Sequence, residues 1–241
     1  MVCASGCRTP GSGRSTTSMP RVSDFAYVRA VTRSNAPVGY PLPKKLLDKL
    51  VSGALLVLLS PVVLVVVLAY AFDVLFSARD RGPLIYREPR ISRGRRFDLL
   101  KFRTLRTDVL ADAAGHARLL EVDPDNLTWV GRRILKPWYL DEVPQLVNVL
   151  RGDISLVGPR PWPPELVERQ VVEGRDYRNL VMAGLTGPAQ VTKGEGIPYA
   201  DLDLGYVELC RTLGGWALAR YDLRILRRTI GVIARREGLS Y

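Results

Sequence analysis

Between Leu50 and Phe72 the chain carries no charged residue, and valine and leucine fall on every side of a helix rather than along one stripe. At 1.5 Å per residue such a segment is about long enough to cross a hydrocarbon core of roughly 30 Å. Ser60-Pro61 interrupts the run near its middle, where proline removes a backbone donor and crowds the preceding turn. Lysines precede the run (Lys44, Lys45, Lys49) and arginines follow it (Arg79, Arg81, Arg87, Arg90, Arg93, Arg95, Arg96). Basic flanks stay cytoplasmic, so both ends of the segment belong on one side. The pattern predicts a re-entrant membrane helix over 44–78, broken at Ser60 and Pro61, with a straight, proline-kinked span as the alternative.

Beyond the helix the period of the pattern falls to two. Residues 84–88 and 97–103 read as strands joined by a Ser-Arg-Gly-Arg turn. Alternation sets Lys101 and Arg103 on one face and Phe102 on the other, which is either a solvated strand face or a cationic pair for phosphate. Helical spacing returns at Val143, Leu146, Val147 and Leu150 and stops at Gly152. Asp141 stands where an N-cap belongs, Pro144 suits a first turn, and a carboxylate at the positive end of a helix is favoured as the anion. That pattern alone serves an ordinary cap as well as a reactive carboxylate. Near the C-terminus, Tyr221, Ile225, Ile230 and Ile233 recur among arginines, as in an amphipathic helix lying on the membrane or on the catalytic domain.

The predicted fold is α/β of the α+β kind: a small catalytic domain with a β-hairpin and several helices, attached to the membrane helix. Its divisions are a disordered basic tail over 1–43, the membrane helix over 44–78, the catalytic domain over 79–205 and a C-terminal amphipathic region over 206–241. The tail is rich in Ser, Thr, Gly, Pro and Arg and has no apolar run long enough for a signal peptide.

Composition narrows the partners. An apolar fraction of 47% in 241 residues supplies a core, and a net charge of +11 asks for an anionic partner: nucleic acid, a membrane surface or a phosphorylated substrate. No aromatic platform accompanies the charge, which argues against nucleic acid. Cys3, Cys7 and Cys210 make neither a disulfide framework nor a zinc site, in keeping with a reducing, cytoplasmic setting. The single histidine, His116, lies in a polar stretch and reads as solvated rather than catalytic.

The motifs taken together carry a family resemblance. A Lys-Lys-x-x-Asp leader, an apolar helix broken at Ser-Pro, a hairpin ending in KFRT and the block LDEVPQLVNVLRGDISLVGPRP resemble the bacterial sugar transferases, the monotopic phosphoglycosyl transferases, over roughly residues 44 to 200. The resemblance implies that Asp141 is a nucleophile that attacks a nucleotide-sugar, a UDP-sugar in first place, and carries the sugar phosphate until a polyprenyl phosphate such as undecaprenyl phosphate takes it. This would be the first step of exopolysaccharide or other envelope glycan assembly, at the cytoplasmic face of the cell membrane. It implies Glu142 as the ligand of Mg²⁺, and Lys101, Arg103, Lys136, Arg160, Gln190 and Lys193 as contacts to phosphate and substrate. Self-association is compatible with it.

The stretch VMAGLTGPAQVTKGEG departs from the family pattern. Met182, Ala183 and Pro188 stand where the family has arginine, proline and tryptophan, and Gly194 stands where a later arginine is expected, with Lys193 one position before it. The alternative reading is therefore a membrane-attached partner protein that keeps the fold and has lost the chemistry.

Overall fold

The computed structural model describes residues 36–77, 80–111, 120–192 and 196–235, so the tail before residue 36, His116 and Lys193 lie outside the described residues. The apolar run forms a helix, α1 (Leu42–Phe76), of 35 residues, roughly 50 Å long. It continues through the expected break at Ser60-Pro61. Pro61 has no N–H for the Val57 carbonyl, and the Ser60 hydroxyl donates to that oxygen instead, at 2.7 Å. The freed acceptor is satisfied without opening the helix.

One stripe of α1 faces protein along its whole length. Lys44, Asp48, Ser52, Val66, Tyr70 and Asp73 are buried, with Val51, Leu55, Leu59 and Val63 packed between them at spacings of three and four. The other faces are bare: Val57 is 76% exposed, Leu58 72% and Leu68 61%.

The hairpin pairs β1 (Ile85–Ser92) with β2 (Arg95–Phe102), from Ile85 opposite Phe102 to Ser92 opposite Arg95. Both strands run closer to the turn than the alternation alone indicated. The reason is a two-residue turn, Arg93-Gly94, whose φ angles of 50° and 72° match the twist of the flanking strands. A short helix, α2 (Thr107–Ala111), follows. After a series of tight turns come α3 (Gln145–Arg151), β3 (Ser155–Val157), α4 (Pro164–Val172), β4 (Gly184–Thr186), α5 (Pro188–Val191), α6 (Tyr199–Thr212) and α7 (Gly215–Ala234). Strands β3 and β4 pair in parallel, Ser155 with Gly184 and Val157 with Thr186.

The main core gathers Leu99 of β2, Leu146 and Val149 of α3, Ile154, Leu156 and Val157, and Leu218 and Ile225 of α7, with Val51, Leu55, Leu56 and Leu59 of α1 packed against it. Asn148 locks α3 to the hairpin: its Oδ1 accepts from Leu100 N at 2.9 Å and its Nδ2 donates to Asp98 O at 2.9 Å. A buried polar network docks the start of α1. Lys44 Nζ lies 2.5 Å from Asp222 Oδ2 and donates to Val157 O and Tyr206 Oη, while Asp48 accepts from Ser155 Oγ and Leu156 N. The Lys-Lys-x-x-Asp leader thus serves to seat the helix. α7 rests on the body through Leu218, Asp222, Ile225, Thr229 and Val232, leaving Trp216, Leu223 and Ile230 exposed beside its arginines.

Candidate active site

Asp141 sits in a 3₁₀ turn, Leu140–Glu142, ahead of α3. The cap expected of it is absent. The residue before α3 is Pro144, with no side-chain cap bond, and Asp141 lies too far upstream to reach the helix's free N–H groups. Its carboxylate turns to Lys136, with Nζ 3.1 Å from Oδ2. The path between the two residues is unusual: a π-turn over Gly131–Leu135, a 3₁₀ turn over Lys136–Trp138, and Tyr139 in the left-handed region at φ 55°. Non-glycine residues hold such a conformation only where the surroundings impose it, and π-turns concentrate at functional sites. Gly131 lets this path cross the KFRT strand closely, since a Cβ there would stand 2.5 Å from Thr104 O.

Lys136 is shared. Glu121 Oε2 lies 2.6 Å from its Nζ, and Glu121 Oε1 accepts from Thr104 Oγ1 at 2.7 Å. Burial pushes the Asp141 carboxyl above its ordinary pKa, Lys136 pulls it down, and Glu142 and Glu121 push it up. Burial works against the Lys136 ammonium, but Asp141 and Glu121 together hold it above its ordinary value, so it is charged at neutral pH. On the other side of the dyad Glu142 Oε1 faces Arg160 Nη2 at 3.6 Å. Lys136 and Arg160 thus flank the Asp141-Glu142 pair, one cation to each carboxylate.

Arg103 is placed elsewhere. It stands one residue past the end of β2, where alternation no longer governs, and it is only 1% exposed. Its guanidinium donates to the carbonyls of Asp80, Pro83 and Leu105 and to Tyr70 Oη. Arg103 clamps the C-terminal end of α1 to the hairpin and has no place among the Asp141 contacts. Lys101 pairs with Glu88 at 3.1 Å on the hairpin face. Gln190 lies buried on α5, packed at Gly187 beside Gly158, and neither amide atom has a hydrogen-bond partner among the described residues.

The GPRP turn is held from behind by residues that no motif singled out. Arg178 Nη1 donates to Arg160 O at 2.8 Å, Nε to Gln170 Oε1 and Nη2 to Asp203 Oδ2, and its Cζ lies 4.1 Å from the centre of the Trp162 ring. Strand β4 secures the same turn through Gly158 N to Thr186 O and Gly184 N to Pro159 O. The departures from the family pattern fit this frame. Ala183 has an N–H where proline has none, and donates it to Ser92 Oγ at 3.1 Å; Pro188 opens α5, where a missing N–H costs nothing. Arg178→Lys keeps the charge but loses the fork. It should slow turnover about 10- to 100-fold by displacing Arg160, and should add little to the loss already caused by Arg160→Ala. Full additivity in that double-mutant cycle would separate the two residues.

The model of one family, described as bacterial sugar transferase, matches residues 40–236. The chain belongs to the bacterial sugar transferase family. Among its relatives, an undecaprenyl-phosphate glucose phosphotransferase of Komagataeibacter xylinus is 34% identical over 197 residues, 78% of this chain and 35% of the relative. A UDP-glucose:undecaprenyl-phosphate glucose-1-phosphate transferase of Caulobacter vibrioides is 35% identical over 205 residues, 80% of this chain and 70% of the relative. An uncharacterized sugar transferase of Haemophilus influenzae is 35% identical over 81% of this chain and 41% of the relative. The chain spans about two fifths or less of the length of the first curated relatives it matches.

Among the described residues no group of three His, Cys, Asp or Glu side chains could hold a metal ion. The dyad still fits Mg²⁺, which is commonly bound by one or two carboxylates and completes its shell with water and substrate phosphate.

Proposed function

We propose that this bacterial sugar transferase moves a sugar 1-phosphate from a UDP-sugar to undecaprenyl phosphate, at the start of exopolysaccharide or other envelope glycan assembly. The observation that carries the reading is the Asp141-Glu142 dyad set between Lys136 and Arg160, with one carboxylate buried and held by a cation, in a chain whose relatives are named for this reaction. Asp141 attacks the sugar-bearing phosphorus of the diphosphate. A P–O bond to Asp141 forms as the bond to the bridging oxygen breaks, and UMP leaves with that oxygen and its electron pair. An oxygen of undecaprenyl phosphate then attacks the same phosphorus and releases the Asp141 carboxylate. Mg²⁺, held by Glu142 and substrate phosphate, would supply charge to the phosphoryl oxygens. Lys136 steers the Asp141 carboxylate and Arg160 offers its fork to phosphate. Lys101, Gln190 and Lys193 complete the proposed substrate contacts, and Arg103 acts from outside by fixing α1 to the hairpin.

The bare apolar faces of α1 support a place in the membrane. Both of its ends bond to the same body, Lys44 and Asp48 at one end and Tyr70 and Asp73 at the other, where Asp73 Oδ2 accepts from Val130 N at 3.2 Å. A helix held at both ends, with its outer faces bare and apolar, supports insertion into one leaflet with the catalytic body on the cytoplasmic side. With the native cysteines replaced, Lys45→Cys and Arg81→Cys should both react with an impermeant thiol reagent only in inside-out vesicles. Labelling from opposite sides would establish a full crossing.

The reaction is tested by incubating the purified chain with Mg²⁺, undecaprenyl phosphate and UDP-glucose, UDP-galactose or UDP-N-acetylgalactosamine in turn, and measuring UMP. Release of UMP with at least one donor is expected, limited to about one UMP per protein molecule without the lipid and continuing over many turnovers with it. No release with a full panel of nucleotide-sugars would leave the chain a fold-retaining partner protein.

A further inference from the structure

The hairpin brings a further arginine to this site. Tyr86, Glu88 and Arg90 alternate along one face of β1, and Lys101 joins them from β2, opposite Tyr86. Glu88, 3% exposed, holds both cations, with Arg90 Nη2 2.5 Å from Oε1 and Lys101 Nζ 3.1 Å from Oε2. The end of this face is tied to the segment that carries Arg160, because Ile91 N donates to Trp162 O at 3.0 Å. Burial pulls the Arg90 guanidinium below its ordinary pKa, Glu88 raises it, and the Arg160 charge lowers it further.

Glu88 brings one negative charge to two cations, so this buried cluster carries one positive charge in excess. Arg90 is itself buried, and the segment tied to the end of its strand carries a third cation, Arg160, which faces Glu142 of the dyad. The Arg90 Nε has no hydrogen-bond partner among the described residues. Surplus positive charge and an unsatisfied guanidinium N–H are both costly out of water, and an anion removes both costs. The geometry points to Arg90, with Lys101 and Arg160, as a second phosphate subsite on the side of the dyad away from Lys136, built for a phosphate monoester. Two such groups pass through the site in the reaction proposed above, on which this inference rests: the departing nucleoside monophosphate and the prenyl phosphate acceptor.

Calorimetric titration of the full chain in nanodiscs with UMP and, separately, with farnesyl phosphate distinguishes them. Arg90→Met should weaken binding of one of the two at least tenfold, identifying the occupant, while Arg90→Lys keeps most of the affinity. Arg90→Met/Glu88→Gln removes both members of the Arg90 ion pair, so its melting temperature shows whether a loss of binding is a loss of fold. Unchanged affinity for both probes in a variant that melts like the wild type would return Arg90 to the role of counter-ion for Glu88. Wild type that binds UMP with Arg90 but transfers no sugar phosphate would keep the subsite and end the transferase reading. Transfer and product binding that both survive Arg90→Met would do the reverse.

Discussion

Asp141→Asn should leave a folded, membrane-bound protein that transfers nothing. Asparagine matches aspartate in shape but cannot form an acyl phosphate. Lys136 keeps Glu121 as a partner at 2.6 Å, so the site survives loss of the Asp141 charge. Removing a covalent nucleophile costs on the order of 10⁶ in turnover in other enzymes, and UMP release should fall below detection. Without a lipid acceptor, the wild-type peptide containing Asp141 should gain the mass of one phosphosugar, and the variant peptide should not. Wild-type turnover in a well-folded Asp141→Asn protein would end the covalent mechanism. A capping role is no refuge for this carboxylate, because the structure gives it no helix to cap.

Lys44→Met should be the most damaging single change to stability. It strands Asp222, which is fully buried, with Tyr206 Oη as its remaining donor at 2.9 Å. Breaking a buried ion pair from one side costs about 3–5 kcal/mol, a large share of the roughly 5–15 kcal/mol that holds a domain together. The loss has a definite pH dependence. Burial raises the Asp222 carboxyl to about 6 even though Lys44 pulls it down, and without Lys44 it rises further. A carboxyl with a folded pKa above its unfolded one favours the fold fully below the unfolded value and loses that contribution as pH rises through the folded value. Melting of Lys44→Met in detergent should therefore fall as pH rises from about 4 through 6 and beyond, and Lys44→Met/Asp222→Leu should recover most of the stability. A single variant that melts like the wild type across that range would remove the network from the account of how α1 docks.

Local features were legible in the chain because their causes are local. The charge-free run makes α1 whatever surrounds it. The Arg93-Gly94 turn follows from the preferences of two residues, and the DE and GPRP motifs lie within a single block of sequence. Ser60-Pro61 was legible only in half: proline's missing donor could be read, but the repair by Ser60 depends on a rotamer.

The residues that the sequence left unmarked act over longer distances. Glu121 reaches Lys136 across 15 positions, Arg178 reaches the Arg160 carbonyl across 18, and Asn148 reaches Asp98 across 50. Arg103 reads as a strand cation and becomes a clamp because Tyr70 of α1 and the carbonyls of Asp80, Pro83 and Leu105 close around it. By itself, then, the sequence determined the apolar helix, the hairpin and the identity of the paired carboxylates, since hydrophobic period, turn preference and motif spacing each act within a few residues. Which cation faces which carboxylate, and which charges are buried for structure rather than aimed at substrate, was decided only when the chain closed on itself, because ion pairing in a low-dielectric interior depends on distance in space and not along the chain.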